Sequence, residues 1–154
     1  MKKITSFCIN HDKLGKGLYV SRMDGDVITY DMRMVVPNAG IYLDHDGLHT
    51  FEHLLATYVR NSKYSDQIIY VGPMGCRTGF YFLTRDTMTK EETIILLQEA
   101  MSFIAHFHDA IPGAAESKEC GNYLDHDLVK ANAYAKDYGE VIKNWIPEDM
   151  VYPE

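Results

Sequence analysis

K-G-L-Y-V-S-R-M-D-G-D-V-I-T-Y-D-M-R-M, residues 16–34, reads as two strands joined by a tight turn. Asp24-Gly25 divides two β-rich runs, and such a dipeptide suits a hairpin because its glycine accepts the positive φ that the turn requires. In the second run Ile28, Tyr30, Met32 and Met34 alternate with Val27, Thr29, Asp31 and Arg33. Successive side chains on a strand point to opposite faces, so Asp31 and Arg33 stand together on the face away from the apolar set. V-V-P-N-A-G then ends the strand, because Pro37 has no N–H for a ladder and Gly40 loosens the chain.

Downstream the period becomes helical: Leu48, Phe51, Leu55 and Tyr58 form one stripe over about 48–60, with Asp46 to cap its start and Asn61 its end. Gln67 to Gly72 and Thr78 to Thr84 are short β-rich runs joined by G-P-M-G-C-R, which puts Cys76 on a tight loop. Thr89-Lys90-Glu91-Glu92 is a capping box opening a helix to about His108, stopped by Pro112 and Gly113. Leu128, Ala131, Ala135, Tyr138 and Ile142 repeat the helical stripe to near Trp145. Strands and helices come unevenly, without βαβ units, so the expectation is an α+β fold: an antiparallel sheet packed against helices, in one domain over 1–154.

A chain of 154 residues can bury a core without disulfide staples. The net charge of −7, with Lys and Arg scattered, lacks the basic stripe that nucleic-acid binding needs. No window approaches a run of about 18 apolar residues, and M-K-K-I-T-S-F-C has no apolar segment behind its lysines. The expectation is a cytoplasmic protein with no membrane and no nucleic-acid partner. Three widely spaced cysteines, Cys8, Cys76 and Cys120, argue against a disulfide framework and leave thiols for catalysis or metal binding.

H-T-F-E-H, residues 49–53, sets His49 and His53 four apart on the first helix, where both can reach one ion. Glu52 lies beside the pair and can carry a proton. By itself H-x-x-E-H is also the inverted zinc-peptidase signature, whose third ligand is a downstream glutamate; Glu91, Glu92, Glu99, Glu116 and Glu119 are formal candidates, with Glu92 explained as a cap. Cys120, in E-C-G-N, is read at a loop-to-helix junction, where backbone N–H groups favour a thiolate. His49, His53 and Cys120 would leave a fourth position open, as catalytic metals require. His45 reads as a loop histidine, and His106 and His108 face opposite sides of a helix.

The blocks H-T-F-E-H-L-L-A-T-Y-V-R-N, G-P-M-G-C-R-T-G-F-Y and E-C-G-N-Y-L-D-H-D-L, in this order, resemble the S-ribosylhomocysteine lyase (LuxS) family. S-F-x-x-x-H near the start and D-x-R-x-x-x-P-N extend the resemblance over nearly the whole chain. It implies a fold that shares its core with the inverted zinc peptidases, and a homodimer with two active sites at the subunit interface. It implies Fe2+ as the native metal, with Zn2+ or Co2+ as substitutes, held by His49, His53 and Cys120. Catalysis would fall to Cys76 and Glu52, and substrate contacts to Ser6, His11 and Arg33, with Arg33 near the reactive thiol. The implied reaction moves the carbonyl of S-ribosylhomocysteine along the sugar chain and then eliminates homocysteine, leaving 4,5-dihydroxy-2,3-pentanedione, the autoinducer-2 precursor. Two departures stand out: L-D-H-D-G-L precedes the first ligand where the family has small residues, and Tyr70 replaces a substrate-binding aspartate. The alternatives are a small inverted zinc peptidase, with a glutamate in place of Cys120, and a non-catalytic module with four protein ligands.

Overall fold

The computed structural model describes all 154 residues. Its elements are β1 (Gly17–Asp24), β2 (Val27–Arg33), α1 (His45–Arg60), β3 (Ile68–Pro73), β4 (Gly79–Arg85), α2 (Lys90–His106) and α3 (Leu128–Ile142). The strands form one antiparallel sheet in the order β1-β2-β4-β3, and three helices cover one face, the expected α+β class. Gly25 makes the β1–β2 turn at φ +60°.

The alternation on β2 orients the sheet. Ile28, Tyr30 and Met32 are buried toward the helices, where Phe51 of α1 meets Phe80 of β4 at 5.0 Å between ring centroids. Gly79 pairs with Arg33 across the β2–β4 ladder, and a Cβ there would fall 2.0 Å from the Met32 carbonyl oxygen, so only glycine lets the strands close. Asp31 and Arg33 do share the other face, but they are not solvated: they are 0% and 2% exposed. The C-terminal tail covers them. Val20 N–H donates to Met150 O (2.9 Å), Tyr152 stacks on Tyr19, and the Tyr152 hydroxyl donates to Asp31 Oδ2 at 2.7 Å.

Helix ends follow the side-chain chemistry, with adjustments. α2 opens on the capping box, Thr89 Oγ1 accepting from Glu92 N–H and Glu92 accepting from Thr89 N–H. It stops at His106, well before Pro112. α1 starts earlier than its apolar stripe, with Asp44 at the N-cap, so His45 is helical and exposed. Asp46 serves differently, accepting from Gly47 N–H (2.7 Å) and from Lys130 Nζ (3.0 Å) of α3. α3 begins at Leu128 behind Asp127, whose side chain accepts from Lys130 N–H. Cys120 therefore lies in a loop several residues before that helix, and the expected helix N-terminus beside its sulfur is absent.

Two buried rings predict different costs. Phe51→Ala removes a ring from the helix–sheet seam and should destabilise the fold by about 3–5 kcal/mol. Tyr138→Phe, which removes the 2.8 Å hydrogen bond that the Tyr138 hydroxyl donates to Gly17 O, should cost about 1–3 kcal/mol. Urea unfolding of both variants checks the order; equal losses would contradict it.

Candidate active site

α1 presents His49 and His53 one turn apart, their ring centroids 4.7 Å from each other. His49 Nδ1 donates to Asp125 O (2.8 Å) and His53 Nδ1 to Pro112 O (2.7 Å). A carbonyl oxygen can only accept, so Nδ1 carries the proton in each ring and Nε2 keeps its lone pair. Gly113, at φ +71°, brings the Pro112 carbonyl in: a Cβ there would sit 3.3 Å from His53 Nδ1.

Cys120 Sγ lies 3.4 Å from His49 Nε2 and 3.7 Å from His53 Nε2. Neither nitrogen has a proton to give, and a thiol has one proton for two acceptors. A cation satisfies all three atoms together. Tetrahedral bonds of ~2.1 Å to nitrogen and ~2.3 Å to sulfur would separate the two donors by about 3.6 Å, the value the observed distances bracket. The donor set thus fits a divalent metal on geometry as well as on ligand type.

A fourth residue joins them. His126 stacks on His49 at 4.1 Å between centroids, and the donor atoms of His49, His53, Cys120 and His126 all lie within 4.8 Å of one another. Thr50 Oγ1, which donates to Asp46 O and accepts from Asp127 N–H, lies 2.9 Å from His126 Nδ1, while His126 Nε2 is buried with no partner. Burial, with the neighbouring His49 and His53, pushes the His126 imidazole down to about 4, so it is neutral at pH 7. Sequence reading missed it, since a lone histidine six positions after Cys120 has no periodicity to mark it.

None of the glutamates open to the peptidase reading enters the cluster. Glu92 caps α2, and Glu119 accepts from the Ala115 and Glu116 N–H groups. Glu52 is half-buried on α1 and makes no hydrogen bond or ion pair.

The other expected residues collect elsewhere. Ser6, His11, Arg33 and Cys76 line one cavity of about 320 Å³, together with Thr78 and Tyr81. Cys76 sits in the turn between β3 and β4, where Arg77 takes the left-handed φ of +58° and Met74 O accepts from Arg77 N–H. Arg33 donates to Asp31 Oδ2 at 2.6 Å and to Thr78 Oγ1 at 2.7 Å. Burial works against the guanidinium charge, but Asp31 outweighs it and holds Arg33 above its ordinary range. Tyr70 is 54% exposed and lines an adjoining cavity of about 310 Å³ that shares Ser6 and Tyr81.

Arg33 and Tyr81 stand on the sheet face away from α1, so this cavity and the histidine–cysteine cluster do not share a wall. A hollow of about 540 Å³ beside Tyr58 and Phe103 contains none of these residues. No helix is long and apolar enough to cross a membrane.

Residues 4–149 match the model of the S-ribosylhomocysteinase (LuxS) family. The chain is 44% identical to the S-ribosylhomocysteine lyase of Clostridium acetobutylicum, with all of both chains covered. It is 46% identical to that of Phocaeicola vulgatus, covering 99% of this chain and 98% of the relative. The Finegoldia magna S-ribosylhomocysteine lyase is 43% identical over the full length of both. Similarity that runs end to end and includes both the histidine–cysteine cluster and the Cys76 turn leads to one conclusion: the chain belongs to the S-ribosylhomocysteinase (LuxS) family.

Proposed function

We propose that this chain is a single-domain, metal-dependent lyase that splits S-ribosylhomocysteine into homocysteine and 4,5-dihydroxy-2,3-pentanedione. The observation that carries the reading is the gathering of Ser6, His11, Arg33 and Cys76 around one cavity, a feature for which a peptidase has no use. Its relatives bear the name of that activity. A third ligand that is cysteine, with no glutamate near the cluster, also speaks against peptide hydrolysis.

His49, His53 and Cys120 would hold the metal, which we assign as Fe2+, with Zn2+ and Co2+ as compatible substitutes for an N, N, S donor set. When bound, the metal supplies Lewis-acid stabilisation of the negative charge that develops beside each departing proton. Cys76 and Glu52 carry the protons. Moving a carbonyl one carbon along a sugar requires a proton to leave one carbon and another to arrive at its neighbour, so two carriers on separate elements suit it. Arg33, His11 and Ser6 orient the substrate in the cavity, and Tyr70, in place of the family's aspartate, lines the adjoining one.

The cavity and the cluster face different sides of the sheet, which supports a homodimer whose active sites are completed across the interface. Exposed Ile4, Phe7, Ile41 and Tyr42 near the cavity offer apolar surface for that contact. A soluble, cytoplasmic enzyme fits a small polar substrate.

Anaerobically iron-loaded protein should release free thiol from S-ribosylhomocysteine, and Cys76→Ala and Glu52→Gln should each lower kcat by at least about 10²-fold with metal content unchanged. No thiol release from fully loaded protein would sink the lyase reading; a full rate in Cys76→Ala would remove that residue's role. For the metal, Cys120→Ala should purify without it. His126→Gln should keep it with affinity reduced about 10–100-fold, measured by competition with a chromogenic chelator. Unchanged metal affinity in Cys120→Ala would reject the assigned ligand set.

A further inference from the structure

We propose that Thr78 is a positioning residue for Cys76: its hydroxyl, held as an acceptor by Arg33, directs its single proton at the cysteine sulfur. The proposal rests on the reading of Cys76 as a proton carrier. Thr78 Oγ1 has two partners, Arg33 Nη1 at 2.7 Å and Cys76 Sγ at 3.0 Å, and makes no third hydrogen bond. A guanidinium has donors only, so the oxygen must accept from Arg33. The hydroxyl proton then has one acceptor in reach, and that is the sulfur. A thiol donating to Thr78 would leave the hydroxyl proton without a partner, a costly state for a buried group.

The geometry is held from every side. Thr78 is 2% exposed, and its carbonyl accepts from Met34 N–H (2.9 Å) and Val35 N–H (3.1 Å). Arg33 is fixed in turn by Asp31, and Asp31 by Tyr152. A chain of polar contacts therefore runs from the C-terminal tail to the sulfur: Tyr152, Asp31, Arg33, Thr78, Cys76. Arg33 thus acts on the sulfur through the Thr78 hydroxyl, with no direct hydrogen bond to it. The cationic guanidinium polarises the hydroxyl, and the polarised O–H is the better donor to a sulfur that carries negative charge. The arrangement orients the sulfur at the cavity wall and gives it a fixed hydrogen-bond donor.

Besides Arg33, the ionisable groups lining the same cavity are His11, from the N-terminal segment, Tyr42, from the loop before α1, and Tyr81, from β4. None of them hydrogen-bonds to the sulfur, so Thr78 is the only polar side chain that does.

The test is alkylation by iodoacetamide, followed residue by residue with mass spectrometry in metal-loaded protein across pH 5–10, with exposed Cys8 as internal reference. Thr78→Val keeps the shape and removes the proton. Cys76 alkylation at pH 7 should fall about tenfold relative to Cys8, and its pH midpoint should rise. Thr78→Ser should stay within about twofold of wild type at every pH. Wild-type reactivity of Cys76 in folded Thr78→Val would overturn the proposal, and so would an equal loss in Thr78→Ser. Should Thr78→Val fail to fold, Thr78→Ala against Thr78→Ser gives the same comparison with the same two outcomes. Alkylation needs no turnover: protein that alkylates as expected yet releases no homocysteine would refute the lyase reading and leave this one standing. In an active enzyme, Thr78→Val should lower kcat and leave KM within about twofold.

Discussion

Asp31 and Arg33 are the constraint around which this molecule is arranged. Two opposite charges two residues apart on a strand face would ordinarily lie in water, yet both are withdrawn from it. Desolvating such a pair costs several kcal/mol per ion and is tolerated only where hydrogen bonds surround it. Arg33 finds Thr78 from the β4 edge, Asp31 finds Tyr152 from the tail, and Tyr19 stacks beneath that tyrosine. Asp31 Oδ1 and Arg33 Nε remain without partners, so the pair is held by its surroundings more than by its own energetics. Removing either partner strands the other charge, and the turn that carries Cys76 hangs from the same network.

The hairpin and the three long helices were legible because each has a local cause. Asp24-Gly25 sets a turn, Thr89 and Glu92 satisfy each other across one turn of helix, and the apolar stripes fix which face is buried. His49 and His53 were legible for the same reason, since four-residue spacing on a helix is a distance. What escaped is what the chain does at long range. That Asp31 and Arg33 share a face was legible, but not that the face is buried, because nothing local announces that Tyr152, at the far end of the chain, will fold across them.

The loop before α3 shows the same limit from the other side. Cys120 lies beside the two histidines but not at a helix start, since the helix expected there begins only at Leu128. Its position is set instead by what grips the loop. His53 holds the Pro112 carbonyl, His49 holds the Asp125 carbonyl, and Thr50 takes the Asp127 N–H. Those contacts carry His126 into the cluster as well, and no spacing rule could have found it.

The two histidines therefore act at both ends of their rings, and this joins folding to chemistry. Nδ1 secures a stretch from Phe107 to Asp127 that has almost no regular structure, and long irregular segments in small domains are usually functional. The same bonds fix the tautomer that turns Nε2 inward, where it meets the Cys120 sulfur. Electron-rich atoms gathered this closely repel one another, and a cation bound among them would tie the loop to α1. The thiol at the β3–β4 turn is built on a different principle, from strand register and a buried ion pair, and owes nothing to that loop. One site is held by side chains of α1 gripping a loop, and the other by the sheet and a buried ion pair. The geometry around Cys76 does not rest on the histidine–cysteine cluster, because the tail, the guanidinium and the threonine behind the sulfur are all packed on the sheet.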